Sequence, residues 1–469
     1  MGKKGFAKMG TGYIAIRRIV AGAAVSLLLL GLQAPAAIAG SSGSQQSAEA
    51  QVTDGGAGGK IIRVTTLAKD GKGSLAWALN QKGPRIVVFE VGGAIDLERS
   101  VLTIIHSDLT IAGQTAPAPG ITLLRGGLDI RANDVVIKHL RVVTGADGLP
   151  KRHGWEADAF STRSAHNVLI ENNSFFWAID ENMSASGPRF TGKSQAEWQA
   201  GTSRNVVFRQ NLAAEGLADS THPKGEHSKG SLIHDNATGI VFERNVWAHN
   251  VERSPLLKGG AQAVMINNLI YNPGHRAVHY NLMDLEWAGN PVVDGKLTAI
   301  GNVMRGGNDT DENMPFLMIG GVGDLQYFGK DNIAVDRHGN ALPMFGSYGQ
   351  TGAKIVSNDA PLADVSNFEI LPAIEVETVV LATAGARPWN RSKMEARVLF
   401  DIAEGRGEII DAEEEVGGFP TFPATTAVFN EAAWNMDTVT PLSGQYPGQK
   451  AGAQEFLSPR DRLMRQANP

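Results

Sequence analysis

The chain of 469 residues contains no cysteine. No disulfide can staple it in any compartment, so its stability must come from a large core, hydrogen-bonded ladders or a metal. Without thiolates, and with no tight cluster among its 11 histidines, a structural zinc site has no evident ligands. Basic charge is also in short supply. The formal net charge is −5, which argues against nucleic acid as a partner. The same deficit disfavours a polyanion at long range, so an acidic substrate would need a local basic patch or a bridging cation. Beyond the N-terminal region no apolar run is long enough to cross a bilayer.

The N-terminal region stands apart. Its first 39 residues hold Lys3, Lys4, Lys8, Arg17 and Arg18 and no acid, so the remainder carries −10. A basic start, the apolar run from Ile19 to Gly31, and Ala37-Ile38-Ala39 ahead of Gly40 predict a secretory signal over residues 1–39. The protein is therefore expected outside the cytoplasm, extracellular or periplasmic, with no membrane attachment in the mature form. A monomer is expected. Residues 40–60 are rich in Ser, Gly, Gln and Ala and predict a flexible linker.

A repeat follows. Asn167 to Asn173, Asn205 to Asn211 and Gly239 to Asn245 share one template: a small or polar residue, three apolar residues, two variable ones, then Asn. Gln262 to Asn268 and Lys296 to Asn302 fit it more loosely. Ser107 to Gly113 and Asn133 to His139 fit without the last Asn. The starts are separated by 26, 34, 38, 34, 23 and 34 residues. Short β-branched strands at a base period in the twenties, without a 3.6-residue periodicity, predict a solenoid of strands. Leucine-rich repeats would show Leu at several fixed offsets, so a parallel β-helix is the expected all-β fold. The recurrent Asn is expected to take a left-handed turn at low cost and to hydrogen-bond its equivalents in neighbouring coils. Gly73 to Asn80 reads as a short amphipathic helix capping the first coil. The β-helix domain is placed at residues 61–345. Residues 346–469 form a C-terminal segment with one helix, Lys393 to Glu404, and an extended tail, packed on the solenoid.

The chemistry-bearing residues fall beside these strands. Glu156 and Asp158, at i and i+2, would share one face of a strand. Asp180 and Glu181 follow the next strand. Oxygen ligands from adjacent coils suit Ca²⁺, a hard cation tolerant of geometry; a solvated acidic loop is the bland alternative. His227 and Lys229 precede one strand, and Arg253 and Lys258 follow another, with Pro255 fixing the backbone beside Arg253. Ordinary surface charges and structural histidines remain open at these positions.

Several stretches resemble the pectate lyase family, whose members fold as right-handed parallel β-helices. They are Val64 to Leu67 with Gly73-Ser74-Leu75, Thr110 to Pro117, Asp158-Ala159 ahead of Asn173-Ser174, Asn250 to Pro255, Asn267 to Asn272, and Gly417 to Pro420. The resemblance spans roughly residues 61–420 and is closest to secreted bacterial members. It implies Ca²⁺-assisted β-elimination on pectate, a galacturonate polymer. Glu156, Asp158 and Asp180 would be metal ligands, with Glu181 as a further candidate because Ser184 stands where another acid is usual. Lys229 would bind the substrate carboxylate and Arg253 would take the proton. Lys258, where a second arginine is usual, and His227 would contact substrate; lysine keeps the charge but loses the bidentate fork. An arginine can act as base only if its surroundings favour the neutral form; Lys229, Lys258 and the cation are the expected perturbers. Two other readings compete: a polygalacturonase-like hydrolase, which needs two carboxylates about 5–9.5 Å apart, and a non-catalytic polysaccharide-binding β-helix.

Overall fold

The computed structural model describes residues 52–349 and 351–450. The predicted signal segment and most of the expected linker lie outside the described residues. The rest of that linker is not loose. Gly56 is buried, and its amide donates to Thr110 Oγ1 at 3.0 Å. Thr53 Oγ1 donates to Asp134 at 3.2 Å. Residues 52–59 thus dock on the first coils, because turn-forming Gly lets the backbone approach strands that would clash with a side chain.

The repeat template builds one sheet. All seven segments located by the repeat become strands of an 11-stranded parallel sheet, including Leu109–Ala112, Val135–Lys138, His166–Glu171, Arg204–Arg209 and Thr238–Glu243. Two further ladders run beside it in a 17-stranded sheet. One holds Leu140–Val143, Ser174–Phe176, Leu212–Ala214, Val246–Ala248 and Leu269–Tyr271. The other holds Phe160–Arg163, Glu181–Ser186, Lys229–Ile233, Leu256–Lys258 and Val278–Leu282. Each coil gives one strand to each ladder, and every pairing between coils is parallel. This is a parallel β-helix.

The recurrent Asn does half of what the pattern suggests. The backbone amides of Asn173, Asn211, Asn245, Asn268 and Asn302 donate to the side-chain oxygen of the next Asn at 2.9, 2.9, 2.9, 3.1 and 2.9 Å, ending on Asn332. Those five side chains are fully buried, so the ladder satisfies amides that would otherwise be costly to bury. The left-handed conformation, however, belongs to the preceding residue: Asn172, Gln210, Arg244 and Asn267 have φ of 51°, 51°, 53° and 52°. The ladder Asn aligns along the axis, and its neighbour takes the turn.

Inside the coils, alternating residues such as Ile130, Phe160, Met183, Ala185, Ile233 and Leu257 form a continuous core. Leu75–Leu79 is the expected capping helix, with Ser74 accepting from the Trp77 amide at 3.1 Å and Leu75, Ala78 and Leu79 buried. In the C-terminal segment Lys393–Glu404 is helical as expected, but Ala373–Thr383 forms a second helix. The two helices cover the ladder of Phe176, Leu212, Ala248 and Tyr271. The solenoid also runs past residue 345, through Phe345–Ser347 and Ile355–Ser357. Among the described residues no helix is long and apolar enough to cross a membrane.

Candidate active site and cation-binding cluster

The second ladder explains how residues distant in sequence meet. Its strands are in register, with Glu181 opposite Lys229 and Lys229 bridged to Glu252. Residues at the entry of successive strands therefore line up along the axis at ~4.8 Å per rung. Asp158 stands just before Phe160, Asp180 just before Glu181, Lys229 opens its strand, and Arg253 sits in the turn before Leu256. Two backbone positions there, Ser228 and Arg253, adopt φ of 62° and 66°. Such conformations are uncommon for non-glycine residues and concentrate at functional sites.

Asp158, Asp180 and Glu181 bring one carboxylate oxygen each within 4.8 Å of one another. Asp158 also accepts from the Glu181 amide at 3.0 Å. Arg253 is hydrogen-bonded to Glu181, lies 4.0 Å from Asp180 Oδ1, and has Nε 3.7 Å from Glu252 Oε1. Lys229 Nζ donates to Glu252 Oε1 at 2.6 Å, and Arg276 pairs with the same carboxylate. His227 Nε2 meets Asp180 Oδ1 at 2.7 Å. Glu156 is exposed, but it lines one cavity of 430 Å³ together with Asp158 and Asp180.

The charges do not balance. Glu252 is matched by Lys229 and Arg276, and Arg253 serves Glu181 and Asp180. Among the described residues no cationic side chain pairs with Asp158. Burial and the Asp180 charge push the Asp158 carboxyl up, and they push Glu181 well above its ordinary range. Burial also works to raise Asp180, but the hydrogen bond and charge of His227, with Arg253, outweigh it and hold Asp180 at about 2. Three carboxylates this close cannot all ionise without a cation. Hard oxygen donors drawn from two coils are the donor set Ca²⁺ accepts, so the residues fit the expected metal.

Burial lowers Lys229, partly offset by Glu252. Arg253 behaves otherwise. Burial acts to lower it, yet Glu181, Glu252 and Asp180 together raise it. The cation-free protein therefore holds Arg253 as guanidinium, opposite to what a base needs. The expected perturber Lys258 is not among the groups that shift Arg253. It pairs with Glu286, which also accepts from Arg189 at 3.0 Å. It ends the strand Leu256–Lys258, beyond the turn at Ser254-Pro255. Ser184 lies inside its strand, in register with Ser161 and Leu232, and does not join the acid cluster.

Two participants lie outside the residues singled out from sequence. His222 is fully buried and stacks on His227, with ring centroids 3.6 Å apart and planes at 8°. Its Nε2 lies 3.5 Å from Glu156 and 3.9 Å from Asp180. Glu252 orders both Lys229 and Arg276. Its position directly before Arg253 was the only sequence signal for it, whereas His222 lies in a loop outside the repeat.

No protein-family model matches this chain. A curated protein of Aspergillus flavus named probable pectate lyase C is 30% identical over 257 residues, 55% of this chain and 52% of that protein. One of the same name from Aspergillus terreus is 27% identical over 374 residues, 78% of each. The chain thus spans about half the length of the first of these relatives. These relatives are fungal, so they give no support to the expectation of a bacterial member. A solved structure of a thermostable pectate lyase aligns at a TM-score of 0.46 and 12% identity, covering 70% of this chain and 92% of that one.

Proposed function

We propose that this chain is a secreted pectate lyase that cleaves α-1,4-linked polygalacturonate by β-elimination with Ca²⁺. The observation that carries this reading is the unbalanced acid cluster standing beside a buried lysine and a half-buried arginine on one edge of one ladder. The similarity to curated proteins named pectate lyase supports it.

Asp158, Asp180 and Glu181 would hold the cation, with Glu156 at the rim. When bound, Ca²⁺ supplies positive charge that stabilises the carboxylate of the galacturonate as it gains electron density. Elimination removes the hydrogen on C5, forms the C4–C5 double bond and expels O4. Lys229, fixed by Glu252, places an ammonium for the same substrate carboxylate. Arg253 takes the C5 proton. Glu181 and Asp180 add to an already high affinity for the proton, so the role needs them turned to the cation, and needs the bound cation and Lys229 to favour the neutral guanidine. His227 keeps Asp180 ionised and oriented.

A hydrolase would use Asp158 and Asp180 as acid and base across a glycosidic bond; their shared cluster with Glu181, with one oxygen of each within 4.8 Å of the others, suits a cation better. The test is ultraviolet absorbance on polygalacturonate with and without a chelator. A rise from the conjugated double bond that exhaustive chelation abolishes is expected. New reducing ends without that absorbance would indicate hydrolysis, and binding without turnover would indicate a non-catalytic protein.

A further inference from the structure

The 430 Å³ cavity is lined by charges of both signs: the carboxylates Asp129, Glu156, Asp158 and Asp180, and the cations Arg131, Arg163 and Lys224. Two of the cations are built into the ladder. Ile130 and Thr162 pair and face the core, so Arg131 and Arg163, the residues that follow them, project outward on neighbouring rungs. Both depend on one buried carboxylate: Asp129 Oδ2 lies 2.7 Å from Arg131 Nε and 3.7 Å from Arg163 Nε. Two guanidiniums against one carboxylate leave a net positive charge. Arg163 makes no hydrogen bond among the described interactions, and its side chain is 56% exposed. Apart from the 3.7 Å ion pair of its Nε with Asp129, this planar fork of donors lines the cavity unbonded, where a bidentate carboxylate would satisfy it.

The row continues. Arg163 is in register with Ser186 on the next strand. Two rungs further, Lys258 occupies the corresponding position and is opposite Asn281. Rungs recur at ~4.8 Å, a step of the size of one pyranose unit. An acidic polymer lying along the axis would meet one rung per sugar. Lys258 is hydrogen-bonded to Glu286, whereas Arg163 has only the 3.7 Å ion pair with an Asp129 that it shares with Arg131, so the available carboxylate position is on the Arg163 side of the acid cluster.

We propose that Arg131 and Arg163 form a separate subsite for a uronate carboxylate, one that makes the groove select de-esterified polymer beyond the sugar undergoing elimination. This rests on the lyase reading for its substrate but not for its measurement. Binding of penta-galacturonate in the presence of calcium is measured by calorimetry in an Arg253→Ala background, which prevents turnover. Arg163→Gln is expected to weaken binding on the order of tenfold, the loss of a charge-assisted hydrogen bond. Arg163→Lys should recover part of that loss, and a fully methyl-esterified oligomer should bind Arg163→Gln and its parent alike. In active enzyme the Gln variant should raise KM and leave kcat unchanged. An unchanged melting temperature establishes that the variants fold. Equal affinity of Arg163→Gln and its parent for the acidic oligomer overturns the subsite, as does no binding to either. Weakened binding in a protein that never yields absorbance supports the subsite and removes the lyase reading instead.

Discussion

The covered face of the β-helix and its open edge both bury charge, and they handle it differently. Under the C-terminal helices, Glu395 accepts from Arg141 Nε at 2.7 Å, from Ser174 at 2.6 Å and from the Ser392 amide at 2.8 Å. Glu215 is clamped by Arg397 at 2.6 and 2.7 Å and by Trp177 Nε1 at 3.0 Å. Burial acts to raise Glu395, yet Arg141 and its hydrogen bonds hold it at about 2. On the open edge the carboxylates outnumber their cations, and two of them are pushed up instead. A balanced cluster joins parts of the fold. An unbalanced cluster stores a requirement that a ligand must meet, which is how perturbed groups mark functional sites.

Breaking the chemistry on the open edge should have the largest effect. Arg253→Ala should lower the lyase rate by at least ~10²–10³, the scale for loss of one transition-state contact, with the fold retained. Activity near that of the wild type would remove Arg253 from the role of base. Breaking the covered face should instead destabilise. Arg141→Ala leaves Glu395 buried without its partner, a cost of about 3–5 kcal/mol, read by denaturant unfolding. The same pair gives a pH signature. Glu395 is depressed in the folded state, so its contribution is complete above its unfolded pKa and is lost as pH falls from about 4.5 towards about 2.

The smallest effect has the opposite sign. Asp158 is raised on folding, so the folded state releases its proton later than the unfolded chain. Its contribution to stability is complete below 3.8 and is lost as pH rises from there to about 7. Asp158→Asn should raise the melting temperature of chelated protein at neutral pH by about a degree, on the scale of ~1 kcal/mol for a chain of this size. It should also abolish any stabilisation by calcium. A chelated Asp158→Asn protein less stable than the wild type would contradict the charge imbalance.

Much of this contrast was legible in the chain. The strand template and its Asn are local patterns, and they located seven strands of one sheet and the buried amide ladder. Asp158, Asp180, Glu181, Lys229 and Arg253 meet because each lies next to a strand whose register the repeat sets. What stayed hidden lacked such a register. His222 reaches the cluster from a loop. Ala373–Thr383 is apolar nearly all round and shows no clear helical stripe. Lys258 follows Arg253 closely in sequence, but extended chain separates neighbours that a helix would keep together. The left-handed turn falls one residue before the recurrent Asn: Asn suits that turn intrinsically, but the hydrogen-bond ladder needs Asn in line with its equivalents.

The cation requirement is tested most directly by calorimetric titration of calcium into chelated wild-type protein and Asp180→Asn without substrate. The wild type should bind with release of protons, since Asp158 and Glu181 must ionise, and Asp180→Asn should bind far more weakly. Binding of equal strength to both proteins, or none to the wild type, would contradict the reading of the open edge as a site held for a cation.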